Sequence, residues 1–424
     1  MRREGGALLG DLLSVIGGIG LFLFGMQTMT AALRDLAGHR ARSVVARFTT
    51  TPLTGALTGA ATTMVVQSSS ATVMTTIGFV GAGLLTFPQA VGVILGANVG
   101  TTVTGWMVAV LGLKLKLGPV ALPLLFAASL LATLGRGGAA RAGTAVAGFS
   151  LVFIGLDLML AGSGAGLPLV ASLHGAEGGV GTLALFVLAG AAVTAVIQSS
   201  SAGVAAALVM LAGGGIDLVQ AAALVIGMDF GTTLKSLVAT LGGSTAMRRT
   251  ALAHVLYNVI AGVTAFVMLP LVPLLGRLTG GDLPMALVVF HTAFNLAGVL
   301  LLLPFARPFA RLIMRLLPEA QGLMPEPLDR ALLASPPAAL DTARTTAMAL
   351  ARSLFGHLRG RILGLPGSGG RPEGFAAALR DLDDFLLDIA VDPGAGEIRA
   401  RYSALLHLVD HLNRLWHRAG QTDR

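Results

Sequence analysis

Gln67-Ser68-Ser69-Ser70 and Gln198-Ser199-Ser200-Ser201 are one tetrapeptide written twice, 131 residues apart. The same offset, without a gap, carries Thr63 onto Thr194, Gln89 onto Gln220 and Gly96 onto Gly227. It also carries Gly100-Thr101-Thr102 onto Gly231-Thr232-Thr233. The chain is therefore internally duplicated, and the best-kept part of the repeat is polar. Both copies sit inside long apolar stretches. Polar groups in a bilayer need partners, so twin hydroxyl-and-amide clusters at matching positions point to one site assembled from two halves.

Composition supports a membrane setting. The 424 residues are 54% hydrophobic and 12% charged, against about 25% charged in soluble domains. The charge deficit lies in the first three-quarters, which reads as a polytopic, all-α membrane protein in contact with lipid. The net charge of +8 comes from arginine, since Lys114, Lys116 and Lys235 are the only lysines. Arginines clustered between apolar spans follow the positive-inside rule, so the basic excess does not call for nucleic acid. With no cysteine, disulfides and thiolate metal sites are excluded. The first apolar stretch is long enough to span and is expected to stay in place rather than be cleaved.

Spans are expected at 12–33, 88–111, 118–134, 142–162, 218–241, 250–275 and 283–305, with a polar loop holding His174 and Glu177. The segments 52–85 and 181–213 are each interrupted by the Gln-Ser-Ser-Ser, leaving arms short for the ~20 residues a crossing needs. Each reads as a re-entrant hairpin of two half-helices. On that topology Arg34, Arg40, Arg42, Arg47, Arg136, Arg141, Arg248, Arg249, Arg307, Arg311 and Arg315 share one face, which is expected to be cytoplasmic. Each repeat then crosses an odd number of times, so the copies are inverted relative to one another. The expected domains are 1–140 (first membrane repeat), 141–317 (second repeat and an extra span) and 318–424.

From Pro318 onward charges become dense and the apolar residues periodic. Leu340, Ala343, Ala347, Leu350, Leu354 and Leu358 form one helical stripe, and Phe375, Leu379, Leu382, Leu386 and Ile389 a second. Ile398, Tyr402, Leu405, Val409, Leu412 and Trp416 form a third. These predict an antiparallel bundle of three helices, cytoplasmic on the topology above, with breaks at 364–372 and 392–396. Asp381, Asp383, Asp384 and Asp388 read as a solvated face rather than a metal site.

Where a helix breaks, its free N–H groups and positive end suit an oxyanion, and freed carbonyls suit a sodium ion. Gln67, Ser68, Ser69, Ser70, Gln198, Ser199, Ser200 and Ser201 are therefore candidate substrate- and ion-binding residues. Asn98, Thr101, Thr102, Asp229, Thr232 and Thr233, in the second paired element, are candidates as well. Asp229 stands in the slot of Asn98, and Lys235 in that of Thr104. An acid in mid-membrane is costly and suggests function; Asp229 could pair with Lys235 only if the helix unwinds near Gly231. His254/Asn258 and His291/Asn295 have i, i+4 spacing and read as packing residues. No Gly-x-Ser-x-Gly elbow accompanies the serines and no Walker loop is present, so neither a serine hydrolase nor an ATP-driven pump is expected. The chain is read as a non-enzyme.

The doubled Gln-Ser-Ser-Ser, with Gly96-Ala97-Asn98-Val99-Gly100-Thr101-Thr102 and its second copy, resembles the type II sodium-dependent phosphate cotransporters over residues 12–305. The tail, through Pro327-Leu328-Asp329 and Ser335-Pro336 before an amphipathic helix, is similar to the PhoU-like domain of bacterial members. The resemblance implies a multi-pass protein of the inner (plasma) membrane, with inorganic phosphate as substrate. Sodium would be the coupling ion, with no other cofactor. It implies that the two tetrapeptides line the sodium and phosphate path, with Asn98, Thr101, Thr102, Thr232 and Thr233 near it. Asp229 and Lys235 depart from the family pattern. The expected function is symport by alternating access. A phosphate sensor acting through the tail, with a cytoplasmic partner or dimer, is the alternative.

Overall fold

The computed structural model describes residues 2–162, 179–318, 328–363, 374–391 and 396–421. The loop expected around His174 and Glu177, Pro327 and the breaks at 364–372 and 392–395 lie outside them. Among the described residues all regular structure is helical. In chain order the helices are α1 (Arg2–Phe48), α2 (Pro52–Val66), α3 (Ser69–Gly81), α4 (Phe87–Trp106), α5 (Gly118–Leu134), α6 (Gly138–Gly162), α7 (Val180–Ile197), α8 (Ser200–Ala212) and α9 (Leu218–Gly231). They continue with α10 (Thr233–Ala239), α11 (Thr245–Met268), α12 (Val272–Leu278), α13 (Leu283–Leu302), α14 (Ala306–Leu316), α15 (Pro336–Ile362), α16 (Phe375–Leu387) and α17 (Gly396–Gln421). Among the described residues seven helical stretches are long and apolar enough to cross a membrane. Their outward side chains are large and apolar (Phe24, Leu188, Val196 and Val267 are all exposed), as lipid contact requires.

Several boundaries differ from expectation. The first span belongs to a 47-residue helix, so Arg34, Arg40, Arg42 and Arg47 lie on its continuation rather than in a loop. No proline or glycine pair follows Leu33 to stop it. α4 runs on as a π-helix over Met107–Lys114. Helix α5, at 17 residues, is among the shorter apolar helices, whereas the 18-residue α7, expected as half a hairpin, is long enough to cross.

The chain divides into two compact units, Met1–Thr75 with Pro88–Val238 and Leu252–Phe309, and Thr76–Phe87 with Ala239–Ala251 and Ala310–Arg424. In the first unit the duplication is visible in packing. Gly59 lies against the carbonyl of Val93, and Gly190 against that of Leu224, its counterpart at the same offset. Gly96 meets Ala56 as Gly227 meets Val187, and Gly100 meets Ala60 and Thr63 as Gly231 meets Ala191 and Thr194. A methyl at Gly96 or Gly227 would overlap a backbone carbonyl oxygen. Small residues thus let α2 approach α4, and α7 approach α9, backbone to backbone. These close approaches seat each interrupted segment on the helix that carries the second paired motif.

In the second unit the three stripes meet as expected. Leu340, Ala343, Leu350, Leu354, Phe375, Leu379, Leu382, Val409 and Leu412 are buried in one core, with Trp416 tilted on Phe375 at 4.5 Å. Asp341 pairs with Arg401 at one end, and Arg361 donates to the Ala419 carbonyl at the other. Helices α15 and α17 are therefore parallel. Arg330, just before α15, reaches Asp388, just after α16, at 3.3 Å, so α16 runs antiparallel to both. Also in this unit, buried Arg249 donates to the Leu317 carbonyl at 2.9 Å.

Gly96→Val and Gly227→Val are each expected to destabilise the detergent-solubilised protein by about 1–3 kcal/mol through overpacking. Gly20→Val, where a methyl meets nothing within 4 Å, is the control and should leave the melting midpoint unchanged. Equal midpoints for all three variants would contradict the close packing.

Candidate functional site

Each Gln-Ser-Ser-Ser forms the junction between two helices. Gln67 ends α2 and Gln198 ends α7, both in the left-handed region at φ 55° and 58°. The backbone N–H of Gln67 reaches the Thr63 carbonyl and that of Gln198 the Thr194 carbonyl, each at 2.7 Å. A side chain at positive φ costs of order 1–3 kcal/mol, and such strain clusters at functional sites. Among the described residues only Gln67, Lys116 and Gln198 adopt it outside glycine. The next residue caps the following helix: Ser68 Oγ accepts from the Ala71 amide at 3.2 Å and Ser199 Oγ from the Ala202 amide at 3.3 Å. Capping occupies one hydroxyl per triplet. Those of Ser69, Ser70, Ser200 and Ser201 have no partner among the described residues.

Both junctions open into one cavity of about 310 Å³, at the lower end of the roughly 300–1,000 Å³ usual for small-molecule sites. Its wall contains all eight residues of the two tetrapeptides. Helix α1 adds Leu23, Met26, Gln27, Thr30 and Arg34, and Ile197 and Lys235 complete it. The N-terminal ends of α3 and α8 therefore both meet the cavity, bringing unpaired amides, hydroxyls and positive dipole ends. The wall holds two formal charges, Arg34 and Lys235, both positive, and no carboxylate.

The second paired element is not on that wall. Asn98, Thr101, Thr102, Asp229, Thr232 and Thr233 are all buried. Thr101 donates to the Ala97 carbonyl, Thr102 to Val99, Thr232 to Asp229 and Thr233 to Phe230, at 2.7–3.0 Å. Asn98 donates to the Ile94 carbonyl at 2.9 Å. Asp229, in the matching slot, accepts from Asn295 Nδ2 at 2.9 Å and lies 3.2 Å from His291 Nε2. The helix does break near Gly231, between α9 and α10, yet Asp229 joins α13 rather than Lys235. The short spacing to Lys235 loses to two buried donors that a single helix presents at i, i+4. Asn295 and Asn258 also donate to the carbonyls of His291 and His254, the packing role expected of them. His254 Nδ1 lies 3.0 Å from Ser236 Oγ, whose own proton goes to the Thr233 carbonyl.

The halves differ at their glutamines. Gln67 is buried, its Nε2 donating to the Met64 carbonyl at 2.6 Å and its Oε1 accepting from Thr104 at 2.9 Å. Gln198 is exposed and its carboxamide has no partner among the described residues. Thr63 donates to Thr72 at 2.9 Å, whereas the position matching Thr72 is Gly203, beside the Met228 sulfur, and the Thr194 hydroxyl is buried without a partner among the described residues.

Comparison with known proteins then decides the family. Residues 21–161 match the family model described as Na+/Pi-cotransporter. A Bacillus subtilis (strain 168) protein called "Uncharacterized protein YqeW" is 31% identical over 317 residues, 72% of this chain and 98% of that one. The chain belongs to the Na+/Pi-cotransporter family. Within that family, the Escherichia coli (strain K12) "Putative inorganic phosphate export protein YjbB" is 30% identical over 78% of this chain and 61% of its own length. The human sodium-dependent phosphate transport protein 2B is 30% identical over 105 residues, 24% of this chain and 15% of its own. No solved structure matches the chain.

Sequence reasoning missed the contribution of α1 to this cotransporter-family cavity. Gln27, Thr30 and Arg34 follow i, i+3, i+7 spacing on one face at the end of the apolar stretch 12–33, a signal that would have found them. Lys235, which departs from the family pattern, stands on the same wall.

Removing one partner of a buried hydrogen-bonded pair leaves the other unsatisfied and costs about 1–3 kcal/mol, more where the remaining group is charged. His291→Leu is expected to destabilise on that scale, and Asp229→Asn far less, since Asn98 fills the same slot in the first half. Melting in detergent measures both, and a neutral His291→Leu would contradict the pairing.

Proposed function

We propose that this chain is a secondary transporter that couples sodium to the movement of inorganic phosphate across the membrane. The observation that carries it is the single polar cavity with the free hydroxyls of both Gln-Ser-Ser-Ser segments on its wall. Family membership supports phosphate as the cargo. In this reading the two membrane halves, 1–140 and 141–317, are inverted repeats that each contribute one interrupted hairpin. Phosphate oxygens accept from the four free serine hydroxyls and from the first-turn amides of α3 and α8. Sodium is held by oxygen ligands at the helix junctions, Gln67 and Gln198 among them. Asn98, Thr101, Thr102, Thr232, Thr233 and Asp229 act from behind the wall, holding the helices on which the hairpins rest.

Alternating access follows if one hairpin-bearing half rocks against the other about the cavity. The tail, 318–424, lies in the cytoplasm in this topology and is proposed as a PhoU-like regulatory bundle. The curated relatives are named for both export and sodium-dependent transport, so flux in each direction belongs in the test. Proteoliposomes loaded with and without sodium gradients of either sign are expected to move labelled phosphate only along the sodium gradient, with sulfate a poor competitor. Ser69→Ala and Ser200→Ala should each reduce that flux about tenfold or more, the loss of one hydrogen bond to a charged oxygen. Phosphate movement indifferent to sodium, or unchanged in both variants, would overturn the assignment.

A further inference from the structure

At the repeat offset Lys235 takes the place of Thr104, and the two residues do different things. Thr104 is buried in α4 and spends its hydroxyl on Gln67, which is thereby held by two hydrogen bonds and withdrawn into the protein. Lys235 lies on the short helix beyond the break at Thr232, is exposed, and lines the cavity. It has no hydrogen-bond or ion-pair partner among the described residues. Gln198, which in the absence of a threonine has nothing to pin it, lies exposed on the same wall.

The carboxylate closest to the lysine in sequence within the membrane unit's paired motif, Asp229, is already taken. Asp229 is buried off the wall and held by His291 and Asn295. Among the described residues no carboxylate lines the cavity. With no carboxylate beside it among the described residues, the exposed ammonium is available to an anion that enters the cavity. Its neighbours there are free serine hydroxyls, two helix N-terminal ends and the Arg34 guanidinium, all of which favour negative charge as well.

We propose that Lys235 is a fixed counter-charge for the transported oxyanion, replacing a mobile sodium ion in the second half of the site. This inference rests on the transport reading above. A permanent cation beside the serine triplet binds the anion before sodium arrives. It also lowers the number of sodium ions that must travel with each phosphate. In the first half the matching residue, Thr104, is neutral, and the fixed charge on the wall is that of Arg34 on α1. The two halves of the cavity therefore differ in function as well as in sequence.

The test compares Lys235→Thr, which restores the residue of the matching slot, with Lys235→Arg, which keeps the charge. Equilibrium binding of labelled inorganic phosphate is measured on purified protein without sodium, and the sodium:phosphate flux ratio in proteoliposomes. The wild type is expected to bind phosphate without sodium, and Lys235→Thr to bind it about tenfold or more weakly, the scale of a charged hydrogen bond. The flux ratio should rise by about one sodium in Lys235→Thr and stay at the wild-type value in Lys235→Arg. Detergent melting midpoints confirm folding, with Lys235→Met as a second neutral variant should the threonine variant be unstable. Unchanged sodium-free binding and an unchanged flux ratio in a folded neutral variant would overturn the proposal and leave the transport reading intact. A wild type that neither binds nor moves phosphate would overturn both.

Discussion

A bilayer gives a broken helix no water, so every backbone group freed by the break must be met by a side chain, a cavity or a guest. This constraint organises the membrane unit. The breaks at Gln67 and Gln198 are held by left-handed backbone at both glutamines and by serine caps on the helices that follow. They are tolerable because each interrupted segment is pressed backbone to backbone against a second helix through glycine, Gly96 and Gly100 on one side, Gly227 and Gly231 on the other. The amides and hydroxyls left over face a common polar space. Strain, close packing and cavity are consequences of the same interruption, written into the chain twice.

Much of this is legible in the sequence. The duplicated tetrapeptide and its gapless offset located the two helix breaks, at Gln67 and Gln198, because a hydroxyl cluster inside an apolar run marks an interruption. The stripes of the tail gave its three helices, because a soluble amphipathic bundle carries its periodicity openly. What was not legible depends on which side of a helix meets which neighbour. Asn98, Thr101 and Thr102 look like ligands by type and spacing, yet they bond to their own helix. In a mostly apolar span every polar residue stands out, and composition alone cannot separate a wall residue from one that satisfies itself at i−3 or i−4. The long continuation of α1 was hidden for a related reason: arginines signal a membrane boundary and do not signal a helix end.

The two halves are alike in scaffold and unlike in charge. The first holds Asn98, Thr104 and a tethered Gln67; the second holds Asp229, Lys235 and a free Gln198. The added acid and the added base do not neutralise one another, since Asp229 turns to His291 and Asn295 on α13. Helix α13 has no counterpart in the first half, so the extra span supplies the partners that an acid in the second half requires. A duplicated fold can diverge in this way while its glycine contacts stay fixed, because the packing faces and the cavity face of each helix are different faces.

The central claim is that both serine triplets belong to one anion site. The chain has no cysteine, so Ser70→Cys and Ser201→Cys can each be labelled singly with a water-soluble thiol reagent against a silent background. The account predicts that inorganic phosphate with sodium slows labelling at both positions, over the same concentration range, and that sulfate does not. Protection at one position alone, or at neither, would contradict it.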